Sequence, residues 1–544
     1  MNLLNNSVLV TPEPVNEPIR DYLPGSSERE QLESTLARMS AEKLEIPLVI
    51  DGKVVHTGRL GTVVMPHDHQ HQLAVYHQAG RKEVELAIAA ALGAQKMWQS
   101  FRWEERCAIF LKAAELLSVK YRATMNSGAM LAGGKNVYQA EIDAACELID
   151  FLRFNVRYAQ EIYEKQPVSS RGVWNYVQYR PLEGFILAVT PFNFTAIAGN
   201  LPTAPAIMGN TVVWKPASSL VYTPYLFMQI LEEAGLPPGV INFVPGPGDV
   251  VGDICLKHGD LAGVHFTGST RVFRKMWSTI GANIDQYRSY PRIVGETGGK
   301  DFIFAHRSAE IKPLVTAMIR GAFEYQGQKC SAASRAYIPR SLWPQVEAEL
   351  KKEVGRIKMG PPTDFSNFFG AVIDRAAFQS ITEYIDYAGS SDQAEIICGG
   401  GYDDRVGYFI EPTVILTQDP QFTTMVEEVF GPVLTIFVYE DENYEKTLQL
   451  CDSTSMYGLT GAVFSRDRQA ASLAIAKLEH AAGNFYINDK PTGAVVGQQP
   501  FGGGRGSGTN DKAGSQANLM RWVSIRTVKE TFVPPEKFDY PFMQ

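Results

Sequence analysis

Short apolar runs alternate with helix-spaced apolar positions along most of the chain. Residues 184–189 (GFILAV) and 211–214 (TVVW) are continuous apolar runs, which are typical of buried strands. Residues 225–234 have helical spacing and end at Gly235 and Pro237, two common helix stops. Because strand, helix and strand in succession require a crossover connection, this alternation predicts parallel sheets in two α/β units. Further strands are predicted at 240–244, 263–266 and Asp301–Ala305 and near Val414 and Val433, with a further helix at Ile311–Phe323.

The N-terminal part of the chain has a different pattern. The first eighty residues show no regular period, and we expect irregular structure there. Residues 66–72 (PHDHQHQ) place three histidines two positions apart, a spacing that would suit a metal site. No flanking helix would fix the ligand geometry, so we interpret this patch as a solvated loop. Helical spacing begins at Lys82, and residues 139–158 predict a further helix.

Two segments, residues 173–179 and 521–529, alternate apolar and polar positions. This period of two predicts strands that lie in a hairpin or at a sheet edge. Because edge strands leave backbone groups unpaired, we expect these strands to protrude and to pair with a second chain. The expected assembly is a homodimer or a larger homo-oligomer.

Composition and charge narrow the classes of function. The 544 residues include 51 Lys and Arg against 59 Asp and Glu, which gives a net charge of −8. An acidic chain without a long basic run does not suit nucleic-acid binding, which depends on neutralising phosphates. The six cysteines are scattered and form no CxxC pair, so we expect neither a disulfide framework nor a bound metal. Reduced thiols fit a cytosol-like compartment.

One charge-free stretch, residues 184–214, imitates a membrane span. Prolines and asparagines interrupt it, so we predict strand, loop, helix and strand instead, and no membrane contact. Residues 1–20 contain Glu13 and Glu17, a composition unlike that of a secretory or transit leader. We therefore expect a cytoplasmic protein, although a mature mitochondrial matrix form would look the same.

Cys330 is the first candidate for chemistry. It follows a predicted helix and a turn that contains Gly327, within residues 323–332 (FEYQGQKCSA). A free thiol has a pKa of about 8.5, so a nucleophilic cysteine needs help to ionise. Taken alone, the motif leaves an inert, packed cysteine as the commoner alternative.

Two polar residues at predicted strand ends could assist such a thiol. Glu296 stands among glycines in residues 293–300 (IVGETGGK), where its carboxylate could activate water or simply form a turn. Asn193 follows the first predicted strand in the sequence TPFN. There its amide could donate to an oxyanion or merely turn the chain.

Two strand–turn–helix joints could hold a phosphate group. The first, residues 246–252 (GPGDVVG), is one residue longer than the usual dinucleotide fingerprint. The second contains Gly268 and Ser269. Free backbone N–H groups at such joints suit a pyrophosphate, and Lys215 at the end of its strand could reach a cofactor ribose.

The order of the motifs carries more information than any one of them. In that order they resemble the aldehyde dehydrogenase superfamily over nearly the whole chain. Residues 141–155, 327–332 and 488–503 further resemble one branch, the Δ1-pyrroline-5-carboxylate dehydrogenases, also called L-glutamate γ-semialdehyde dehydrogenases. The motifs are PFN, WKP, FTGS, GETGGK, GQKCSA, EEVFGP at 427–432 and PFGG at 500–503.

The resemblance implies an α/β architecture of the aldehyde dehydrogenase type. Its parts are a Rossmann-type NAD-binding domain at residues 1–170 and 182–296, an α/β catalytic domain at 297–501, and a protruding β oligomerisation element with a C-terminal tail at 171–181 and 502–544.

The resemblance also implies a reaction. Cys330 attacks the aldehyde carbon, and the resulting oxyanion is held by Asn193 and the backbone N–H of Cys330. Hydride then leaves for NAD, and Glu296 activates the water that hydrolyses the thioester. The implied overall reaction is the oxidation of L-glutamate γ-semialdehyde to L-glutamate in proline breakdown.

For the cofactor, the resemblance implies a set of NAD-binding residues. Many relatives have glutamate where this chain has Ser218, and that glutamate holds both adenosine-ribose hydroxyls. Without it a 2′-phosphate is not repelled, so we expect NAD with some tolerance of NADP. The implied residues are Thr190, Phe192, Lys215, Ser218, Gly248, Gly268, Ser269, Glu428 and Phe430.

For the substrate, the resemblance implies a small aldehyde with an amino-acid head. Ser331 and the backbone N–H groups of Gly493 and Ala494 would hold its α-carboxylate. Some relatives have serine at the position of Ala494. Glu147 would meet the ammonium group. The aromatic residues implied to flank the aliphatic chain are Phe194 and Phe501.

Three alternatives remain open at this point. The first changes the substrate, for example to succinate semialdehyde, which would not need Glu147. The second is a structural or binding protein, although Cys330, Glu296 and Asn193 are all present. The third is a cysteine hydrolase, which needs a histidine beside the thiol, and the nearest in sequence is His306. Because 544 residues leave no room for an added proline-oxidising domain, we expect a single-function enzyme.

Overall fold

Two seven-stranded sheets follow one another along the chain in the computed structural model, which describes residues 8–544. The N-terminal sheet takes its strands from residues 48–296, and the C-terminal sheet takes its strands from residues 301–487. Both sheets are mostly parallel, with helices between successive strands. The predicted α/β fold with two units is therefore confirmed.

Five neighbouring strands of the N-terminal sheet run parallel, and a short hairpin extends the sheet, each of its two strands being antiparallel to the strand before it. Helices cover both faces, so the parallel strands are almost wholly buried and their sequences are continuously apolar. The charge-free stretch 184–214 forms strand, loop, helix and strand, as predicted. In sheet order the strands are Arg292–Glu296, Leu261–Thr267, Phe185–Val189, Thr211–Lys215, Ile241–Phe243, Leu48–Ile50 and Lys53–Val55.

The C-terminal sheet has six parallel strands and one antiparallel edge strand. In strand Asp301–Ala305, Phe302 and Phe304 face one apolar cluster while Ile303 faces another, so both sides of the sheet are packed there. In sheet order the strands are Ala394–Cys398, Thr413–Thr417, Val433–Tyr439, Ala333–Pro339, Asp301–Ala305, Thr460–Phe464 and Asn484–Ile487.

The helices connect these strands and cover both sheets. The helix predicted at 225–234 begins earlier, at Tyr222, because Pro224 lies in its first turn, where no backbone hydrogen bond is lost. The α-helices are Ser27–Ala41, Arg81–Ser100, Trp103–Leu116, Arg122–Gly133, Val137–Ala140, Leu148–Tyr163, Thr195–Ile207, Tyr222–Ala234, Gly248–Leu256, Thr270–Ala282, Ile311–Phe323, Trp343–Val354, Arg375–Gly389, Thr423–Val426, Tyr444–Ser453, Arg468–Lys477 and Gln516–Met520.

The prediction of irregular structure in the first eighty residues is wrong. Helix Ser27–Ala41 lies there, capped by the Ser26 hydroxyl, which accepts from the N–H of Arg29. A three-stranded sheet follows, in which the central strand pairs in parallel on one side and antiparallel on the other. Its strands are Leu44–Ile46, Asp68–His77 and Leu60–Met65.

The histidine patch at 66–72 is not a solvated loop, because most of it belongs to strand Asp68–His77. The ring of His69 stacks on Tyr408 with centroids 4.9 Å apart. His71 Nε2 lies 2.8 Å from the carbonyl oxygen of Ser40. These partners come from elsewhere in the chain, so the local polar pattern gave no sign of them.

The two alternating segments form a two-stranded antiparallel ribbon, Val173–Pro181 with Val523–Thr531, and both predicted strands are confirmed. Their pairing with a second chain stays a prediction. Two further short strand pairs are Tyr402–Asp403 with Phe409–Ile410 and Tyr457–Gly458 with Gly504–Arg505.

Within residues 8–544, no helix is both long enough and apolar enough to cross a membrane. The expected lack of a leader rests partly on residues 1–7, which lie outside the described residues.

Candidate active site

The predicted site residues gather where the two sheets face each other. Strands of the N-terminal sheet end at Lys215, Thr267 and Glu296, and because they are parallel, these ends share one edge. Cys330 lies three residues before strand Ala333–Pro339, at the opposing edge of the C-terminal sheet. Two cavities open between these edges.

The first cavity has a volume of about 720 Å³ and the second about 600 Å³. Cys330 and Thr267 line both of them. The thiol-bearing residue therefore stands at the junction of two spaces, each large enough for a separate small molecule.

The predicted residues divide between these cavities. Asn193 lines the first cavity and Glu296 lines the second. The predicted cofactor residues in the first cavity are Thr190, Phe192, Lys215, Ser218, Gly248, Gly268, Ser269, Glu428 and Phe430. The predicted substrate residues in the second cavity are Glu147, Phe194, Ser331, Gly493, Ala494 and Phe501.

A tight turn between helix Ile311–Phe323 and Cys330 sets the position of Cys330. In this turn Tyr325, Gln326 and Gly327 all have positive φ, at 52°, 55° and 67°. A Cβ on Gly327 would lie 2.2 Å from the carbonyl oxygen of Gly431, so only glycine fits. The Gln326 side chain donates to two backbone carbonyls, which holds the strained turn in place.

The surroundings of Cys330 oppose ionisation of its thiol. Burial raises the pKa of Cys330 well above its ordinary value, and the carboxyl groups of Asp301, Glu296 and Glu428 raise it further. The side chain is only 8% exposed. Both effects favour the neutral thiol over the thiolate.

Glu296 and Asn193, the two residues predicted to assist the thiol, both have side-chain polar groups without a hydrogen-bond partner in the described chain. Burial raises the pKa of Glu296 well above its ordinary value, against the opposing charge of Lys512. The Oε2 oxygen of Glu296 is buried without a hydrogen-bond partner in the described chain. Asn193 is buried, and within residues 8–544 its side-chain amide makes no hydrogen bond. Such an amide can donate to a ligand oxygen, and such a carboxylate can take a proton from water.

The first cavity has donors that suit a dinucleotide. Helices Gly248–Leu256 and Thr270–Ala282 begin at its wall, and free N–H groups at helix starts attract phosphates. Burial lowers the pKa of Lys215 to about 8, and its Nζ lies 4.0 Å from where a Cβ on Gly248 would stand. These groups fit the phosphate and ribose parts of NAD.

The inner end of the same cavity is apolar on one side and acidic on the other. The rings of Phe192 and Phe430 meet edge to face, with centroids 5.9 Å apart. Glu428 accepts from the N–H of Gly299 at 2.8 Å, which fixes its carboxylate. A fixed carboxylate of this kind suits a ribose diol.

The second cavity has an acceptor end and a donor end. Glu147 ends a π-helical segment, Glu141–Glu147, which interrupts the helix predicted at 139–158 and turns the carboxyl group toward the cavity. Burial raises the pKa of Glu147 to about 8. At the other end of the cavity, Ser331 Oγ lies 2.8 Å from Oγ1 of Thr492, the residue directly before Gly493.

Several functional candidates escaped the sequence analysis. Glu324 Oε2 lies 3.1 Å from the amines of both Lys329 and Lys490, which line the second cavity and add positive charge at its donor end. Lys329 lies in the motif 327–332 and Lys490 in the motif 488–503, and these positions were the sequence signal that could have identified them. Asn16 and Glu17 also line this cavity, and no local pattern marked them.

His306, the candidate for a cysteine hydrolase, lies elsewhere. It follows strand Asp301–Ala305 at the end away from Cys330, and its Nδ1 lies 2.9 Å from Ser308 Oγ. It lines neither cavity. The geometry gives no support to a Cys–His pair with His306.

Comparisons with known proteins find relatives over nearly the whole chain. The aldehyde dehydrogenase family model matches residues 56–528. A Dictyostelium discoideum protein named mitochondrial delta-1-pyrroline-5-carboxylate dehydrogenase is 53% identical over 98% of this chain and 96% of its own. A delta-1-pyrroline-5-carboxylate dehydrogenase from Agaricus bisporus is 52% identical over 97% of this chain and 96% of its own. The crystal structure of the Mycobacterium tuberculosis delta-pyrroline-5-carboxylate dehydrogenase bound with NAD has a TM-score of 0.96, at 51% identity, over 99% of this chain and 100% of that one.

Proposed function

The chain belongs to the aldehyde dehydrogenase family, and we propose that it oxidises L-glutamate γ-semialdehyde, the open form of Δ1-pyrroline-5-carboxylate, to L-glutamate with NAD. One observation carries this proposal. Cys330 stands between a cavity that fits a dinucleotide and a cavity with an acidic end and an anion-binding end. This reaction belongs to proline catabolism.

We assign the nucleophile to Cys330. The thiol gives its proton to solvent water, its sulfur bonds to the aldehyde carbon, and the carbonyl oxygen becomes an oxyanion. The Asn193 amide and the backbone N–H of Cys330 donate to that oxyanion. One such donor is typically worth about 3–4 kcal/mol of transition-state stabilisation. The product of this step is a thiohemiacetal.

The thiohemiacetal then loses hydride to give a thioester. NAD bound in the first cavity would supply the acceptor for that hydride. We expect Lys215, Ser269 and Glu428 to hold the NAD through its ribose and phosphate groups. Glu296 takes a proton from water, the hydroxide attacks the thioester carbon, and the Cys330 sulfur departs as a thiolate. The thiolate takes the proton back from Glu296, and the new carboxylic acid releases its proton to solvent water. The products are L-glutamate, NADH and the regenerated thiol.

The second cavity fits both ends of the amino-acid head. We assign the α-carboxylate to Ser331 and the backbone N–H groups of Gly493 and Ala494, and the ammonium group to Glu147. A bound ammonium group would favour ionised Glu147, since an opposite charge lowers a carboxyl pKa. The backbone groups need no side chain, so alanine at 494 keeps them. Phe194 and Phe501 are proposed to flank the aliphatic chain.

We retain the predicted domain boundaries as a proposal: NAD-binding at 1–170 and 182–296, catalytic at 297–501, and the remaining segments for oligomerisation. The strand limits at 296 and 301 of the two sheets support the first division. All six cysteines are unbonded, which supports a reducing compartment, the cytoplasm or the mitochondrial matrix.

A panel of aldehydes followed by NADH absorbance tests the substrate. We expect kcat/KM for L-glutamate γ-semialdehyde to exceed that for succinate semialdehyde and hexanal by about tenfold or more, because only the first can meet Glu147. The same panel with NADP should show weaker but measurable turnover, because Ser218 carries no charge to repel a 2′-phosphate. Equal kcat/KM across the aldehydes would overturn the substrate assignment.

A further inference from the structure

An N-terminal arm, residues 8–25, lies along the helical stretch that carries Glu147. The arm makes hydrogen bonds to this stretch at three positions along its length. Thr11 donates twice to Gln160 Oε1, at 2.7 Å each, and the N–H of Glu17 donates to Asp150 Oδ1 at 2.7 Å. Further along, the Tyr22 hydroxyl donates to Glu141 at 2.7 Å. The arm is therefore tied to this helix over most of its length.

Asn16 differs from the other arm residues because its side chain bridges two parts of the second cavity. Its Nδ2 donates at 2.8 Å both to Asp150 Oδ2 on the helix and to the carbonyl oxygen of Val496. Its Oδ1 accepts from Gln498 Nε2 at 3.0 Å. Val496 and Gln498 belong to the loop that begins at Gly493. Both donor hydrogens and the acceptor oxygen of the amide are thus used.

The bridge lies at the wall of the second cavity. Asn16, Asp150, Val496 and Gln498 all line it. Asp150 is three residues after Glu147, on the same side of the helix. One amide therefore links the helix with the acidic end of the cavity to the loop with the anion-binding end.

We propose that Asn16 is a positioning residue for substrate recognition, which holds the loop at 493–498 at a fixed distance from the helix that carries Glu147. This inference rests on the proposed function, because the two ends matter together only for a substrate with both an ammonium group and a carboxylate. A plain aldehyde needs neither end. The N-terminal arm thus contributes to specificity without touching the reacting atoms.

The test compares Asn16→Ala with Thr11→Val. Each removes side-chain hydrogen bonding between the arm and the same helix, but within residues 8–544 Thr11 makes no hydrogen bond to the loop. We expect Asn16→Ala to raise KM for L-glutamate γ-semialdehyde about tenfold, with kcat and KM for hexanal changed by less than about twofold. Thr11→Val should leave both KM values near those of the wild type. Gln498→Ala, which removes one contact from the loop side, should raise the first KM by a smaller factor.

Hydrogen–deuterium exchange gives a readout independent of the substrate. Amides at 493–498 should exchange faster in Asn16→Ala than in the wild type or in Thr11→Val. Unchanged exchange there, equal effects of Asn16→Ala and Thr11→Val, or equal losses for both aldehydes would each overturn the inference. If the wild type does not prefer L-glutamate γ-semialdehyde, the proposed function fails, and the exchange result still decides whether Asn16 holds the loop.

Discussion

The thiol of Cys330 is held neutral by its own surroundings. Burial and three nearby carboxyl groups all raise its pKa. A neutral thiol resists oxidation and unwanted alkylation, since the thiolate is the reactive form. For the proposed attack on an aldehyde, the thiol has to lose its proton as the carbon–sulfur bond forms.

Replacing Cys330 tests the nucleophile directly. Cys330→Ser should abolish NADH formation, because a hydroxyl is a far weaker nucleophile at neutral pH. Its Kd for NAD, measured by calorimetry, should stay within about twofold of the wild type, since the sulfur is not needed to hold the cofactor. Cys398→Ser, outside both cavities, is the matched control and should keep full turnover. Retained turnover in Cys330→Ser would refute the assignment.

Glu296 should act after hydride transfer. In Glu296→Gln we expect a rapid first turnover of NADH followed by a steady state slower by about 10²–10⁴, the usual contribution of a general base. Stopped-flow absorbance separates the two phases. An unchanged steady state would remove Glu296 from the mechanism.

The raised pKa of Glu296 also predicts a pH dependence. The base works only when ionised, so the hydrolysis rate should fall as the pH drops through that raised pKa. The inflection should lie above the ordinary glutamate value of about 4.3. A pH profile of the steady-state rate measures it, and Glu296→Gln should lack this inflection. An inflection at the ordinary value would contradict the burial argument.

At the scale of elements, the turn between helix Ile311–Phe323 and Cys330 depends on backbone conformation. Three successive residues with positive φ reverse the chain within a short distance. The presence of Gly327 in the sequence indicates a turn, and the structure adds the left-handed Tyr325 and Gln326, which side-chain type does not predict. Tertiary contacts overcome their local preference.

Gly327→Ala should therefore be costly. A Cβ would meet the carbonyl of Gly431 in a left-handed conformation, so we expect a loss of at least about 2 kcal/mol in the free energy of unfolding, with reduced turnover. Gly281→Ala is the control, because Gly281 is helical with open space around its Cβ position. It should be neutral or stabilising by up to about 1 kcal/mol. Chemical denaturation measures both, and equal effects would contradict this account.

At the scale of the whole molecule, the ribbon of Val173–Pro181 and Val523–Thr531 pairs with no other strand of the described chain. It presents exposed apolar side chains, including Trp174 and Ile525. An isolated two-stranded ribbon is marginally stable. We propose that a second copy of the chain covers it.

Size-exclusion chromatography with light scattering tests that assembly. The wild type should run as a dimer or larger, and Trp174→Asp should shift the mass toward one chain, because a charge would be buried at the interface. Tyr290→Asp, which places the same charge at an even more exposed aromatic residue outside the ribbon, should leave the mass unchanged. A wild type that is monomeric at all concentrations would overturn the proposal.

Much of the fold and of the site could be predicted from the sequence. Strands such as Asp301–Ala305 are buried on both faces, so a continuous apolar run was a sufficient signal. The carboxyl ends of parallel strands lie along one edge of their sheet, so Lys215 and Glu296 could be predicted to lie along the same edge. The first eighty residues could not be predicted, because three of the strands there have only three residues each and polar side chains of the longest strand bond to other segments.

The sequence by itself determined the alternation of strands and helices, the order of motifs and the identity of the chemical groups, because these depend on local periodicity and residue type. Only the tertiary structure decided that Cys330 lies where two cavities meet and that burial shifts the pKa values of Cys330 and Glu296. It also decided that Asn16 links the helix and the loop at the wall of the second cavity. Each of these depends on distances between segments far apart in the chain, and packing alone sets such distances.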